Sequence, residues 1–383
     1  MEKRSFYFNY SIIALTLLIP IAGFAQSSKS RSYDLDSLLR AVRARYDLPA
    51  LGAALIVDGK VVETEVIGVR KYGDTTRATI NDTWHIGSDT KSMTATLLGK
   101  LVELGKLRWE TKIIDVFPEL IGKIDTAFNR VTLEMLLCHH SGIKGDSWPS
   151  GMTYDAALDI PGSPREQRIT YMRAMLAEPP AAPPGTTYIY SNAGFAIAGA
   201  MAERVMDRAF EDLLNEFVFR PLSITSAGFG SMNTPGKVDE PWQHTRSNGA
   251  HVPIDGGPRS DNPEAITPAG RVHLSLGDWC KYAIAHLQGE TAGGLLRPAT
   301  FIKLHSLPFG GQYGFGWLII EPKWANGKAL AHDGSNNQNY ASIFLAPNLK
   351  FGILVVTNEG GEEASAAVPI VVSSIIKKLW VKK

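Results

Sequence analysis

The sequence predicts a mixed α/β (α+β) fold, with an antiparallel sheet flanked by the first and last helices and a mostly helical second lobe. The chain of 383 residues exceeds the ~250–300 residues at which a single compact core usually stops growing. Apolar, β-rich runs lie near both ends of the chain, and the middle shows helical periodicity. Joining both ends in one sheet is the economical architecture for this order, and a cleft between lobes is a common binding site.

The N-terminal part of the predicted sheet begins with a helix and a hairpin. Residues 34–46 carry apolar side chains at helical spacing. Residues 51–57 and 61–69 are two β-rich runs, and the dipeptide Asp58-Gly59 between them is a strong hairpin signal. These elements predict a helix followed by a two-stranded edge of the sheet.

Helices dominate the middle of the chain, and strands return near its end. Helical periodicity is strong over residues 88–104 and recurs, between Pro- and Gly-rich loops, at residues 132–138, 165–176, 193–205 and 276–287. Short apolar runs bounded by turns predict strands at residues 316–320, 340–345 and 352–356, and residues 364–379 predict a closing helix. The α/β lobe is therefore expected at about residues 33–87 and 300–383, and the helical lobe at about residues 88–299.

The first 25 residues have the features of a secretory signal peptide. Lys3 and Arg4 form a basic start, an apolar stretch covers residues 12–24, and Gly23 and Ala25 are small residues before a cut at residue 26. The apolar stretch is shorter than the ~20 residues of a membrane span, and an uncleaved anchor is the alternative. We expect an exported, periplasmic or extracellular protein whose residues 26–383 form one domain without a stable membrane span.

Composition narrows the function classes. The formal net charge of +1, with no long charge run, gives no support for nucleic-acid binding. The two cysteines, Cys138 and Cys280, are not in a C-x-x-C pair, so no zinc site is predicted. Export permits a disulfide between them, but both lie in apolar runs, and two buried thiols are the favoured interpretation. We expect neither a metal nor a cofactor.

A candidate nucleophile is found through the pattern S-x-x-K, since the chain has no H-E-x-x-H, P-loop or G-x-S-x-G motif. The pattern begins at Ser88, Ser141 and Ser374. Only Ser88 follows a glycine and opens a strong helix, where positions i and i+3 share a face and Lys91 reaches the hydroxyl. A buried lysine with a depressed pKa can take the proton of a serine.

Two further short motifs carry polar groups toward the same chemistry. Tyr190-Ser191-Asn192 precedes a predicted helix and offers a phenol to share the proton and an amide to bind substrate. Near the late strands, a His-Asp-Gly triplet begins at His332, and its glycine, Gly334, allows close approach of a substrate backbone.

In this order, the three motifs resemble the signatures of the serine β-lactamase and penicillin-binding protein family, which includes class C β-lactamases, D-Ala-D-Ala carboxypeptidases and esterases. The stretches at residues 136–142, 184–185, 268–270 and 313–317 are similar to the pattern of that family, from about residue 34 to the C-terminus. The resemblance implies a penicillin-binding/β-lactamase-like fold. It also implies that Ser88 is the acylated nucleophile and that Lys91 and Tyr190 form the proton-transfer pair. The N–H groups of Ser88 and Ser335 would form the oxyanion hole. The implied substrate-binding residues are Asn192, His332, Asp333, Gly334 and Ser335.

The third motif departs from the family pattern. Typical class C β-lactamases resemble K-T-G at this position, whereas the chain has His332-Asp333-Gly334. If Asp333 faces the cleft, its charge repels a substrate carboxylate. We therefore expect an exported serine hydrolase of small-molecule or peptidoglycan-like esters, amides or D-amino-acid peptides. The alternatives are a penicillin-binding or sensor protein that is acylated with little turnover, and a class C-like β-lactamase.

Overall fold

The computed structural model describes residues 33–145 and 148–380, so the predicted signal peptide lies outside the described residues. The helices are α1 Leu35–Tyr46, α2 Thr90–Glu103, α3 Ile113–Val116, α4 Leu133–Leu137, α5 Tyr154–Leu158, α6 Pro164–Leu176, α7 Asn192–Met206, α8 Phe210–Leu214, α9 Thr267–Gly270, α10 Leu276–Ala292, α11 Pro298–Leu304 and α12 Glu362–Trp380. The strands are β1 Ala50–Val57, β2 Lys60–Gly68, β3 Thr83–His85, β4 Gly228–Phe229, β5 Gln243–Ser247, β6 Ala250–Ile254, β7 Val272–Ser275, β8 Tyr313–Gly314, β9 Trp317–Ile320, β10 Ala329–Ser335, β11 Tyr340–Ala346 and β12 Phe351–Thr357.

A seven-stranded antiparallel sheet joins the two ends of the chain, in the order β2-β1-β12-β11-β10-β9-β8. The pairing of β1 with β12 closes it, with Leu51 opposite Thr357. Asp58 and Gly59 turn between β1 and β2 at φ values of 53° and 71°, the left-handed conformation that a two-residue hairpin of type I′ requires. The predicted antiparallel sheet built from both termini is confirmed.

Each face of the sheet buries a different set of side chains. On the outer face, α1 and α12 cover β1, β11 and β12, and their apolar residues, such as Leu39 and Val371, are fully buried there. On the inner face, α10 packs against β1 and β12, and the main core continues into the helical part of the chain. Because successive side chains of a strand alternate between faces, β10 sends its odd- and even-numbered residues to different surroundings.

The helical middle surrounds α2 and also contains short strands. Residues 90–99 of α2 are almost entirely buried, which is typical of a helix enclosed on all sides, and α7 and α9 are among its neighbours. Three short strands form one small sheet, in the order β3-β7-β4, and β5 and β6 form another, and the sequence predicted neither sheet. These strands have two to five residues, too few for a period-two pattern to stand out.

The described residues include both cysteines and every helix named above. Cys138 and Cys280 are buried free thiols, as the favoured interpretation had it, and burial raises the pKa of each to about 12. No helix among the described residues is long and apolar enough to cross a membrane.

Candidate active site

Ser88 lies on a tight turn between a short strand and the buried helix. The turn is a 3₁₀ helix, Gly87–Asp89, which follows β3, and α2 begins only at Thr90. The sequence placed Ser88 on the first turn of the α-helix, so the structure shifts the helix start by two residues. The spacing argument survives, because residues three apart also lie on one side of a 3₁₀ turn.

Lys91 meets Ser88 inside the protein. Its Nζ lies 2.9 Å from Ser88 Oγ, 2.8 Å from Asn192 Oδ1 and 2.7 Å from the carbonyl oxygen of Ala269. The side chain has no solvent-accessible surface. Burial holds the pKa of Lys91 well below its usual range, against an opposing contribution from the Asp89 carboxyl. The free base is therefore favoured, as a proton acceptor requires.

Tyr190 also contacts Ser88, with its hydroxyl 2.8 Å from Ser88 Oγ, and its ring centroid lies 4.8 Å from Lys91 Nζ. His139 holds the tyrosine loop in place. Its ring lies 4.4 Å from the Tyr190 ring, centroid to centroid, and its Nδ1 accepts a hydrogen bond from the Ser191 N–H at 3.1 Å. The serine oxygen thus has two proton-exchanging groups within hydrogen-bond distance.

Ala269 is a site residue that the sequence argument did not assign. Its carbonyl oxygen is the third acceptor around Lys91 Nζ. It lies in α9, within the Pro-Ala-Gly stretch that resembles the family pattern. A backbone carbonyl leaves no chemical signature in a side-chain motif, so only that resemblance pointed to this segment.

Strand β10 contacts the nucleophile turn so closely that only glycine fits. A Cβ atom on Gly334 would lie 1.8 Å from the Ile86 carbonyl oxygen and 2.9 Å from the Ser88 nitrogen, and one on Gly87 would lie 2.3 Å from the Ser335 nitrogen. The backbone segments that carry the Ser88 and Ser335 nitrogens are therefore in direct contact. The Ser335 hydroxyl does not point at substrate, since it donates to the Asn339 carbonyl at 2.7 Å.

His332 lies on the inner face of β10, 4% exposed. Its Nε2 is 3.1 Å from the Tyr313 hydroxyl, and its Nδ1 is 3.2 Å from Asp89 Oδ1. Burial, with a smaller contribution from the charge of Lys91, lowers the pKa of His332 to about 3. The imidazole is consequently neutral across the physiological range, and it supplies no permanent positive charge to the site.

Asp89 is the second residue that the sequence argument missed. It has no exposed surface, and within the described part of the chain neither carboxyl oxygen has a hydrogen-bond partner in good geometry. Burial, and next the charge of Asp333, raise the pKa of Asp89 well above its usual range. The environment therefore favours the uncharged form of Asp89, beside the neutral imidazole of His332. The sequence feature that could have pointed to Asp89 is its position directly after the candidate nucleophile.

Asp333 points away from the side of β10 that faces the nucleophile. Its carboxylate accepts hydrogen bonds from the side chains of Ser342 and Tyr340 on β11. The alternation of side chains along a strand puts Asp333 on the face opposite His332 and Gly334. Asp333 therefore does not face the cleft, and the expectation that it directly repels a substrate carboxylate is wrong.

The other two S-x-x-K patterns do not assemble a comparable site. Lys144 is directed to Glu178, at 2.7 Å, and Ser141 is buried, with its oxygen next to the Ile143 N–H. Ser374 lies in α12, on the outer side of the sheet. Ser88 is thus the one of the three motif serines that meets both a buried lysine and a tyrosine hydroxyl.

Chemically, the arrangement offers a serine hydroxyl within hydrogen-bond distance of a lysine amine and a tyrosine hydroxyl. Among the described residues, no group of three or more His, Cys, Asp or Glu side chains is placed to bind a metal ion. Such a site suits the attack of a serine oxygen on a carbonyl carbon.

Comparisons with known proteins bear on the family to which the chain belongs. A family model described as Beta-lactamase matches residues 35–372. Penicillin-binding protein 4 of Amycolatopsis lactamdurans is 26% identical over 335 residues, which cover 84% of this chain and 83% of that protein. Unguisins hydrolase ungD' of Aspergillus campestris is 26% identical over 370 residues, which cover 90% of this chain but only 65% of that protein.

A solved structure gives the same fold. EstCE1, a hydrolase with promiscuous acyltransferase activity, matches with a TM-score of 0.74 at 16% identity, covering 89% of this chain and 98% of that one. The predicted penicillin-binding/β-lactamase-like fold is confirmed. Since the family model spans nearly the whole described chain, the protein belongs to the β-lactamase family, and its relatives include a penicillin-binding protein and hydrolases.

Proposed function

We propose that the protein is an exported serine hydrolase that forms an acyl-enzyme on Ser88 and acts on neutral esters or amides. One observation carries the proposal: Ser88 Oγ lies 2.9 Å from Lys91 Nζ and 2.8 Å from the Tyr190 hydroxyl. These are distances at which a proton can move between the groups as the oxygen attacks. Export rests on residues 1–25 alone.

Acylation follows from the positions of these groups. The Ser88 oxygen forms a bond to the substrate carbonyl carbon while its proton passes to Lys91 or Tyr190. The carbonyl oxygen becomes an oxyanion, which the N–H groups of Ser88 and Ser335 would stabilise; one such donor is worth about 3 kcal/mol in related chemistry. The bond to the leaving group then breaks, and the leaving oxygen or nitrogen takes the proton.

Deacylation reverses the roles with water. A water molecule loses a proton to the same Lys91–Tyr190 pair and attacks the acyl carbon. The bond to Ser88 Oγ breaks, the proton returns to that oxygen, and the free acid leaves. Asn192 supports both steps because its Oδ1 is bound to Lys91 Nζ, which fixes the lysine between its partners.

Neutral substrates are favoured because the third motif lacks a cation. His332 occupies the first position of the His-Asp-Gly triplet, and its pKa of about 3 leaves it uncharged near neutral pH. A carboxylate next to the scissile bond would therefore lose the permanent positive charge that the lysine of a K-T-G motif supplies. This argument replaces the one based on repulsion by Asp333.

A penicillin-binding or sensor role is the second candidate, and the likeness to Penicillin-binding protein 4 favours it. The two candidates differ in the lifetime of the acyl-enzyme. Intact-mass measurements at intervals after addition of an ester, a D-Ala-D-Ala peptide and a β-lactam separate them. A transient adduct with continuing product release is expected of the hydrolase, whereas a lasting one-to-one adduct supports the sensor.

Substitution of the nucleophile tests the assignment. We expect Ser88→Ala to abolish covalent labelling by a fluorophosphonate, because no other described serine has this pair of bases. Ser141→Ala is the matched control, since it alters another S-x-x-K serine, and it should keep full labelling. Labelling retained in Ser88→Ala but lost in Ser141→Ala would refute the proposal.

A further inference from the structure

An aromatic pocket of about 330 Å³ lies beside the candidate active site. Phe309, on the loop between α11 and β8, forms one wall and stacks on the His140 ring at 4.5 Å with an interplanar angle of 12°. Tyr188, Tyr313 and Leu318 complete the apolar lining. The His140 ring is held in place because its Nδ1–H donates to the Cys138 carbonyl at 2.8 Å.

Two of the pocket residues also contact the catalytic tyrosine or its neighbours. Tyr313 meets the Tyr190 ring edge-on at 6.3 Å and hydrogen-bonds to His332. Tyr188 precedes Tyr190 by two residues, and its ring lies 5.8 Å from that of Tyr313. The pocket therefore adjoins Tyr190, and its lining includes neither Gly334 nor Ser335 of β10.

The lining carries no formal charge that would hold an ionic group. Among the described residues that form the pocket, none is Lys, Arg, Asp or Glu. Tyr188 is 42% exposed, so one wall is open to solvent and the pocket is reached without unfolding any element. A space of this kind takes a flat apolar group, because aromatic rings pack edge-to-face or offset against such walls.

We infer that this pocket binds an apolar, aromatic leaving group of a neutral ester or amide, which specifies the substrate class of the proposed hydrolase and rests on that function. The reason is the direction of proton transfer. When the bond between the acyl carbon and the leaving oxygen breaks, that oxygen takes its proton from the Lys91–Tyr190 pair. The leaving atom must therefore face Tyr190, and the group attached to it extends toward Tyr188 and Tyr313.

Matched esters test the inference. Methyl and benzyl acetate share an acyl group and differ in the leaving group, whereas methyl acetate and methyl phenylacetate differ in the acyl group. We expect kcat/KM to favour benzyl over methyl acetate by at least about tenfold, the discrimination that an apolar pocket typically provides. The preference for the phenylacetyl group should be much smaller.

Variants of the wall and of the volume locate the preference. Phe309→Ala removes the aromatic wall, and Leu318→Trp fills the space. Each should reduce the benzyl-to-methyl ratio toward one. Ile302→Ala, at a residue of α11 that is 51% exposed, is the control and should keep the wild-type ratio. Fluorophosphonate labelling of Ser88 verifies that each variant is folded and competent.

A kinetic signature separates a leaving-group pocket from an acyl pocket. Both acetates give the same acyl-enzyme, so within each protein the deacylation rate constant must be the same for both, and only acylation can respond to the pocket. A wild-type ratio near one, or variants that change acyl-group preference instead, would overturn the inference while leaving the proposed function intact. Absence of any Ser88 acylation would refute the proposed function itself.

Discussion

The contact between β10 and the nucleophile turn makes Gly334→Ala the most informative substitution. A Cβ atom at this position would lie 1.8 Å from the Ile86 carbonyl oxygen. The contacted oxygen belongs to the backbone and the position of a Cβ is fixed by its own backbone, so no side-chain rotation relieves the clash. The strand must move away from the Gly87–Asp89 turn by more than about 1 Å to reach an ordinary contact distance.

That displacement separates the nitrogens of Ser88 and Ser335, which belong to the two segments. A misplacement of ~1 Å costs about 100-fold in rate in well-ordered sites, and loss of one oxyanion donor costs about 10²–10³ in kcat. We therefore expect kcat/KM for a neutral ester to fall by at least about 100-fold. The fall should lie mainly in kcat, because the oxyanion exists only during reaction.

Steady-state hydrolysis of methyl acetate or a chromogenic ester measures the effect, with thermal unfolding measured in parallel. Gly277→Ala, in α10, is the matched control, because the nearest atom outside its own helix backbone lies 4.0 Å from the added Cβ. A folded Gly334→Ala protein with wild-type kcat/KM would refute the argument that this strand and turn jointly form the oxyanion site.

Three other predictions address the charges of the site. Lys91→Ala and Tyr190→Phe should each slow acylation strongly, and the double variant should be close to one single variant in effect, because groups that move one proton act as a unit; a fully multiplicative loss in single-turnover acylation contradicts this. Burial raises the pKa of Asp89, and an ionised Asp89 would raise that of Lys91, so Asp89→Asn should keep the acid limb of the kcat/KM–pH profile and weaken any fall at high pH. A shift of the acid limb to lower pH would instead mean that Asp89, which lies beside His332 and is influenced by the charge of Asp333, is ionised in the wild type. Since Asp333 faces away from the nucleophile, Asp333→Thr should leave the kcat/KM ratio of a neutral ester to its carboxylate analogue unchanged, with the neutral ester preferred; a large change in this ratio would show that Asp333 acts on the substrate.

The local features of the site were predictable because they depend on short spacing. Ser88 and Lys91 are three residues apart on one turn, and any helical or 3₁₀ backbone brings them to one side. Tyr190 and His332 are distant in sequence, and only the resemblance of the ordered motifs connected them to Ser88. Ala269 contributes a carbonyl oxygen, which no side-chain pattern reveals.

The third motif did not indicate the direction or the burial of its side chains. The third motif presents His332, Asp333 and Gly334 as one unit, but strand alternation sends Asp333 to the opposite face. The strand itself, β10, was not predicted, so its alternation was not available to the argument. Likewise, the burial that favours the uncharged forms of Lys91, His332 and Asp89 comes from neighbours distant in sequence.

By itself, the sequence determined the order of the main helices and of most strands of the large sheet, the joining of both chain ends in that antiparallel sheet, and the motifs that carry the chemistry. These features follow from hydrophobic periodicity, turn residues and residue type, which are local properties. The tertiary structure alone decided which groups meet at Ser88, which face Asp333 occupies, and which side chains lose their charge. Those outcomes depend on distances and desolvation between segments up to 250 positions apart, such as Ser88 and the strand that carries Ser335, and no local pattern encodes them.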